Sequence, residues 1–114
     1  MSLNKGDIVL VSFHFTDLSS TKLRPAVVLW SSNSSFDVTV CFVSSRILTN
    51  LAPEEFLITT QDAEFTTTGL KVDSKVRVSR IVTLERRLIS RRIGKLGKNQ
   101  MEDLNRVLVV TFDL

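Results

Sequence analysis

Cysteine is almost missing: Cys41 is the only one in 114 residues. No internal disulfide can form, and no Cys-x-x-Cys or Cys/His spacing offers a zinc site. A reducing, cytoplasmic setting fits that poverty, and no metal or other cofactor is expected. Histidine is just as scarce, with His14 alone. No apolar run approaches the ~20 residues of a membrane span, and no signal-peptide pattern opens the chain, so no membrane is expected among its partners. Internal repeats and low-complexity linkers are lacking too. The length suits one domain with a real core but not two, so a single domain over 1–114 is expected. Met1-Ser2-Leu3 reads as an expression leader and is left out of the fold argument.

What is present is globular: 43% hydrophobic and 24% charged residues. The net charge is +3, but its distribution says more than its sum. Ten of the fifteen basic residues fall between 71 and 98, opposed only by Asp73 and Glu85; that segment carries +8 and the rest −5. Such asymmetry points to a polyanionic or acidic partner. A merely solvated surface is the alternative. The functional reading is preferred because the charges alternate with apolar residues on strands.

Most of the chain has strand periodicity. In 7–15, Val9, Val11, Phe13 and Phe15 share one face, with Ser12 and His14 on the other. The run Ala26-Val27-Val28-Leu29 predicts a strand over 26–31 that is buried on both faces. In 36–43, Phe36, Val38, Val40 and Phe42 alternate with Asp37, Thr39 and Cys41; the last reads as a small core residue. Strands are also expected at 55–60, at 75–82 with Val76, Val78 and Val82 on one side, and at 91–96, where Gly94 marks a bulge or close approach. Polar loops fill 16–23, 31–35, 44–54 and 61–69. Asn99 with Glu102 has the form of a capping box. Met101, Leu104, Leu108, Thr111 and Phe112 then recur at helical spacing, widened by Val107 and Val110. That stripe has room for both a core and a second subunit. The expected fold is mainly β: a small SH3-like, strongly curved antiparallel barrel with a C-terminal helix.

The stretch Thr21-Lys22-Leu23-Arg24-Pro25 sits just before the most apolar strand. Pro25 has a fixed φ and no N–H, which suits the first position of a strand and biases Arg24 toward an extended backbone. A guanidinium held on such a scaffold suits phosphate, which it can grip with two parallel hydrogen bonds. The plainer alternative is a strand-edge arginine whose stem covers apolar surface.

These residues resemble a known family. Gly6-Asp7-Ile8-Val9-Leu10-Val11, Phe15-Thr16-Asp17-Leu18 and Lys22-Leu23-Arg24-Pro25-Ala26-Val27-Val28-Leu29 are similar to the opening of the MazF/PemK (Kid) toxins of type II toxin–antitoxin modules. The resemblance continues through Phe42-Val43-Ser44-Ser45, Thr67-Thr68-Gly69, Val76-Arg77-Val78 and Thr83-Leu84 into the terminal helix. It implies a CcdB/PemK-type fold and a homodimer with single-stranded RNA in a groove across the dimer. It implies cleavage without a metal, by attack of the ribose 2′-OH on the adjacent phosphorus, and inhibition by an acidic antitoxin in the same groove.

Carried over to this chain, Arg24 matches the arginine of the family's Arg-Pro motif. A guanidinium stays protonated near neutrality, so an electrostatic role on the pentavalent phosphate is favoured. Ser44 falls where relatives carry a threonine, able to donate to a phosphate oxygen or simply to cap a turn; Ser45 is the alternative one position on. Arg77 matches an arginine of the penultimate strand. Many members carry an acid two residues later, where this chain has Ser79, and many carry Gly-x-Glu-Gln in the first loop, where it has Asp17-Leu18-Ser19-Ser20-Thr21. The general base is therefore open among Ser79's position, His14 and Asp73. His14 is also readable as an ordinary strand-end histidine, and Asp73 as a partner for Lys75. Lys22, Arg46, Lys75, Arg80, Arg86 and Arg87 complete the expected RNA-contacting set. The alternative function is a catalytically weak or inactive toxin of the same fold that acts by binding, as a gyrase-type poison or through its antitoxin alone. The lack of a terminal tryptophan speaks against the gyrase mode.

Overall fold

The computed structural model describes residues 2–13 and 22–114. His14 and the first-loop residues through Thr21 lie outside them, and so do the expectations placed there. Six strands follow in order: β1 (Asp7–Phe13), β2 (Lys22–Ser31), β3 (Asp37–Ser44), β4 (Glu55–Ile58), β5 (Ser74–Glu85) and β6 (Ile89–Lys95). Short 3-10 turns occupy Thr66–Thr68 and Arg86–Leu88, and the helix α1 runs Lys98–Phe112. The strands form one sheet in the order β4-β5-β3-β2-β1-β6, with every pairing antiparallel. The class is the expected one, a curved antiparallel sheet with a C-terminal helix, and the sheet stays open between its edges β4 and β6. No helix among the described residues is long and apolar enough to cross a membrane.

The central strands are buried on both faces, and each face owns a core. Val27, Cys41, Val43, Val76 and Val78 join Leu104 and Val107 of α1 in one cluster, which the helix covers from the β4–β5 side. Ala26, Val28, Val38, Val40, Val9 and Val11 form the other, enclosed by the curl of the sheet itself. Cys41 is the small core residue expected; burial pushes its thiol up to about 12, so it stays protonated and inert. Leu3 also belongs to the second core, 4% exposed, and its carbonyl accepts the Ser31 hydroxyl at 2.8 Å. Leu3 therefore takes part in the fold.

Several local expectations give way to irregularities in the ladders. β2 begins at Lys22, so Arg24 and Pro25 lie inside the strand, where Pro25 faces Leu10 of β1. Between β3 and β5, Cys41 faces Ile81 but the next residue, Phe42, faces Arg77. Residues 78–80 have no partner on β3, and the break reverses the parity of β5. Val76 and Val78 therefore face the first core while Val82 packs on the second, against the single face expected. Phe36 is 77% exposed and outside β3 rather than in line with Val38. Val110 and Phe112 are exposed, so the buried stripe of α1 runs through Gln100, Leu104 and Val107.

The cap of α1 is displaced as well. Gly97 occupies the cap position, and its N–H donates to Gln100 Oε1 at 2.8 Å. The next free N–H groups, of Asn99 and Gln100, are met at 3.1 Å by the Glu64 carboxylate, reaching in from 35 residues away. A carboxylate at a helix start is favoured by both hydrogen bonding and the helix dipole.

The segment carrying Glu64 is pinned to β6 by two glycines. Gly69 ends the 3-10 turn with φ +73°, and a Cβ there would strike the carbonyl of Ile93. A Cβ on Gly94 would strike the backbone of Thr67 and Thr68. This is the close approach foreseen for Gly94. Gly94→Ala must push two backbones apart and should cost about 1–3 kcal/mol, the scale of an overpacked core. Urea titration should show that loss, whereas Ser90→Ala, at an exposed position on the same strand, should leave the midpoint in place. An unshifted Gly94→Ala midpoint would mean the turn is not held there.

Candidate functional site

β2 and β3 pair from Ser31 opposite Val38 down to Ala26 opposite Phe42, and no further. Both strands continue, but each turns to its other neighbour. Arg24 faces Val11 of β1, and Ser44 faces Lys75 of β5. The sheet therefore parts beyond the Ala26–Phe42 row. A cavity of about 630 Å³ opens there, lined from one half by Leu10, Arg24, Pro25, Arg91 and Ile93, and from the other by Phe42–Arg46, Ser74, Arg77 and Arg80. The Gly69–Val72 segment, pinned to β6 as above, supplies the remaining wall. Strand alternation places Arg24, Phe42, Ser44 and Arg77 on the second-core side and Leu10, Pro25 and Val43 on the first. A groove that touches both sets must pass through the parting.

Its charge is one-sided. Among the described residues, six cationic side chains line it, Arg24, Arg46, Lys71, Arg77, Arg80 and Arg91, and no carboxylate does. Concave walls of low dielectric concentrate such a field. Leu10, Phe42, Leu70, Val72 and Ile93 add apolar surface. Phosphates and bases could each find a matching wall.

Of the residues expected from the sequence, Arg24, Ser44, Ser45, Arg46, Arg77 and Arg80 are brought together here. Ser44 Oγ accepts the Arg46 N–H at 3.1 Å, so it does cap a turn. Its own proton remains a donor. Ser79 and Lys22 are exposed and do not line the groove. Asp73 accepts the Thr60 N–H at 2.7 Å and ties two loops together outside it. Lys75 is engaged with the Ile47 carbonyl at 2.9 Å and with Glu55. Arg86 and Arg87 sit next to Glu85, which faces Asp37 at the far end of β3, roughly 23 Å along the strand from Ser44. Arg87 pairs there with Glu85 at 2.7 Å.

Three contributors escaped sequence reasoning. Arg91 and Lys71 were visible only as part of the basic segment. Arg91 reaches the groove because it faces Leu10 across the β1–β6 ladder. Glu55 was invisible. It faces Arg77 across β4–β5, with its side chain 9% exposed. Its Oε2 lies 3.3 Å from Arg77 Nε and 3.4 Å from Lys75 Nζ, and its Oε1 accepts the Ala52 N–H at 3.1 Å. Burial alone raises this carboxyl. The Ala52 N–H and the charges of Lys75 and Arg77 outweigh it, so the group sits below the ordinary carboxylate range.

The chain is similar to known proteins. A family model described as PemK-like, MazF-like toxin of type II toxin–antitoxin system matches residues 4–112. Among solved structures, the Mycobacterium tuberculosis toxin MazF-mt6 superposes with a TM-score of 0.71 at 20% identity, covering 95% of this chain and 97% of that one. An endoribonuclease in complex with its cognate antitoxin, from a mycobacterial species, gives 0.69 at 18% identity over 99% and 97%. At such identities these likenesses speak for the fold. No curated protein matches by sequence.

The lowered Glu55 carboxyl carries a stability prediction. Its folded-state pKa lies below the unfolded value, so its contribution is complete above the ordinary glutamate range of about 4.3 and fades as pH falls through the folded value. Glu55→Gln should destabilise by about 1–3 kcal/mol at pH 7. The gap to the wild type should close as pH falls below about 4. An equal gap at pH 7 and pH 3.5 would show that charge is not the cause.

Proposed function

The chain belongs to the PemK-like, MazF-like toxins of type II toxin–antitoxin systems, and on that premise we propose that it is an endoribonuclease acting on single-stranded RNA in the parted groove. The observation that carries this reading is the groove, lined among the described residues by six cations and no carboxylate. A duplex-reading protein would need an element shaped for a base-pair groove; here a narrow cleft mixes charge with apolar surface, which suits unpaired nucleotides. The name of one structural relative, an endoribonuclease in complex with its cognate antitoxin, supports the same activity and an antitoxin as partner; an acidic antitoxin would suit the cationic groove.

In this reading the nucleophile belongs to the substrate. The ribose 2′-OH attacks the adjacent phosphorus, the bond to the 5′ oxygen of the next nucleotide breaks, and a 2′,3′-cyclic phosphate and a free 5′-OH remain. The protein's share is to hold the phosphate and to stabilise the extra charge on its equatorial oxygens. Arg24, on a strand stiffened by Pro25, and Arg77 from the opposite half supply fixed positive charge, and the Ser44 hydroxyl can donate. Arg46, Lys71, Arg80 and Arg91 would meet flanking phosphates. No metal takes part in these steps. His14, Asp73 and Ser79 remain proposals for proton transfer at the 2′-OH. Asp73 and Ser79 stand outside the groove lining, so either must be reached by substrate that extends beyond it. A cytoplasmic homodimer belongs to the same proposal.

A second reading, binding without cleavage, draws on the same lining, because no carboxylate among its described residues offers a base. One assay separates the two. Protein incubated with long single-stranded RNA in EDTA should yield fragments whose 5′ ends accept phosphate from a kinase without prior dephosphorylation. Arg24→Ala should fold normally and cleave at least ~10²-fold more slowly, as on loss of a transition-state donor. RNA that stays intact with the wild type would leave the binding role alone. A fully active Arg24→Ala would remove that arginine from the chemistry.

A further inference from the structure

The groove's cations need something to aim them. Ser79, two residues after Arg77 on β5, is exposed and outside the groove lining. An acid comes instead from the neighbouring strand. Glu55 faces Arg77 across the ladder and approaches its Nε to 3.3 Å, and that Nε is buried without an aligned hydrogen-bond partner. The pair is an ion pair held by strand register, not a closed hydrogen bond.

Glu55 also governs a loop. It grips Lys75, whose ammonium donates to the Ile47 carbonyl at 2.9 Å. Ile47 has φ +51°, a left-handed conformation that a β-branched residue avoids unless something holds it. At the other end of the same loop, the Ala52 N–H donates to Glu55 Oε1, and the Glu55 N–H donates to the Ala52 carbonyl at 3.0 Å. One carboxylate thus anchors both ends of the 45–54 segment, which carries Ser45 and Arg46 into the groove.

We propose that Glu55 is the positioning residue of this groove: it orients Arg77 directly and, through Lys75, sets the loop that presents Ser45 and Arg46. The proposal rests on the RNA-cleaving reading above. Glu55 does not line the groove and need not touch RNA. Its removal therefore has opposite effects on binding and on chemistry. Glu55→Gln deletes a negative charge beside a polyanion site, so affinity for RNA holds or improves. The arginine and the loop lose their set positions, so the chemical step slows.

The test uses the full chain and single-stranded RNA of mixed sequence. Glu55→Gln should bind RNA as tightly as the wild type or more tightly, yet cleave at least ~10-fold more slowly with protein in excess, as for a small misplacement of reacting groups. A fold defect would weaken both. In a chain already carrying Arg77→Ala and Lys75→Met, adding Glu55→Gln should slow cleavage less than about twofold, because both cations it positions are gone and the glutamine Oε1 can still accept the Ala52 N–H. A full additional loss there, or wild-type cleavage by folded Glu55→Gln, would overturn the proposal. A wild type that does not cleave defeats the functional reading separately. Glu55 is then judged on the Arg77 Nε–Hε resonance, which must move in Glu55→Gln; an unmoved resonance overturns the assignment.

Discussion

Beyond Ala26 and Phe42 two adjacent strands stop pairing with each other, and the rest of the molecule is arranged around that separation. Buried backbone groups must be paired somewhere. β2 meets the requirement on its outer side through β1, and β3 meets it through β5. The inner edges are then free to diverge without leaving either strand unsupported. The cost falls on β5, which has three residues without a β3 partner at the same level, and on β6, which is twice out of step with β1. These breaks are how a short sheet bends sharply enough to make a cleft while keeping two separate cores.

The cleft gathers like charges, which repel one another and oppose folding. Described ion pairs lie at its margin. Glu55 partly neutralises Lys75 and Arg77 from just outside the lining, and Asp7 approaches Arg92 at 3.6 Å behind β6. Among the described residues, no carboxylate is part of the lining. A polyanion entering it would release that repulsion as well as its own counterions. The stiffness of the frame matters equally. Arg24 rides a strand fixed by Pro25, and the Gly69–Val72 wall is locked to β6 by two glycines that no larger residue could replace without displacing backbone.

Much of this was legible in the sequence wherever it depended on neighbours in the chain. Alternation located three of the strands, the unbroken apolar run marked the one buried on both faces, the bounds of the polar loops set off the other two, and helical spacing placed α1. The Arg-Pro pairing drew attention to Arg24 before any coordinates. What could not be read depended on partners distant in the chain. The parity of β5 reverses at a break set by β3, so Val82 was assigned to the wrong core. Asn99 has a capping residue's form, yet the helix start is capped by Glu64 from another segment. Glu55 opens an expected strand and carries no mark in the sequence, because only the β4–β5 register sets it against Arg77. Arg86 and Arg87 shared the basic segment with Arg91, but the ladders bring Arg91 into the groove and leave Arg86 and Arg87 beside the far end of β3. Charge clustering along a sequence is a poor guide to clustering in space when the segment spans two strands.

The central claim is that unpaired RNA enters the parting between the two halves of the sheet. Titration with a single strand of 2′-O-methyl RNA, which cannot attack its own phosphate, tests this directly when followed by backbone amide NMR. Resonances from both halves, Leu10, Arg91 and Ile93 on one and Phe42, Ser44 and Leu70 on the other, should shift together and saturate at one concentration. Shifts confined to the exposed aromatic end of the sheet around Trp30 and Phe36, with the groove unmoved, would contradict it.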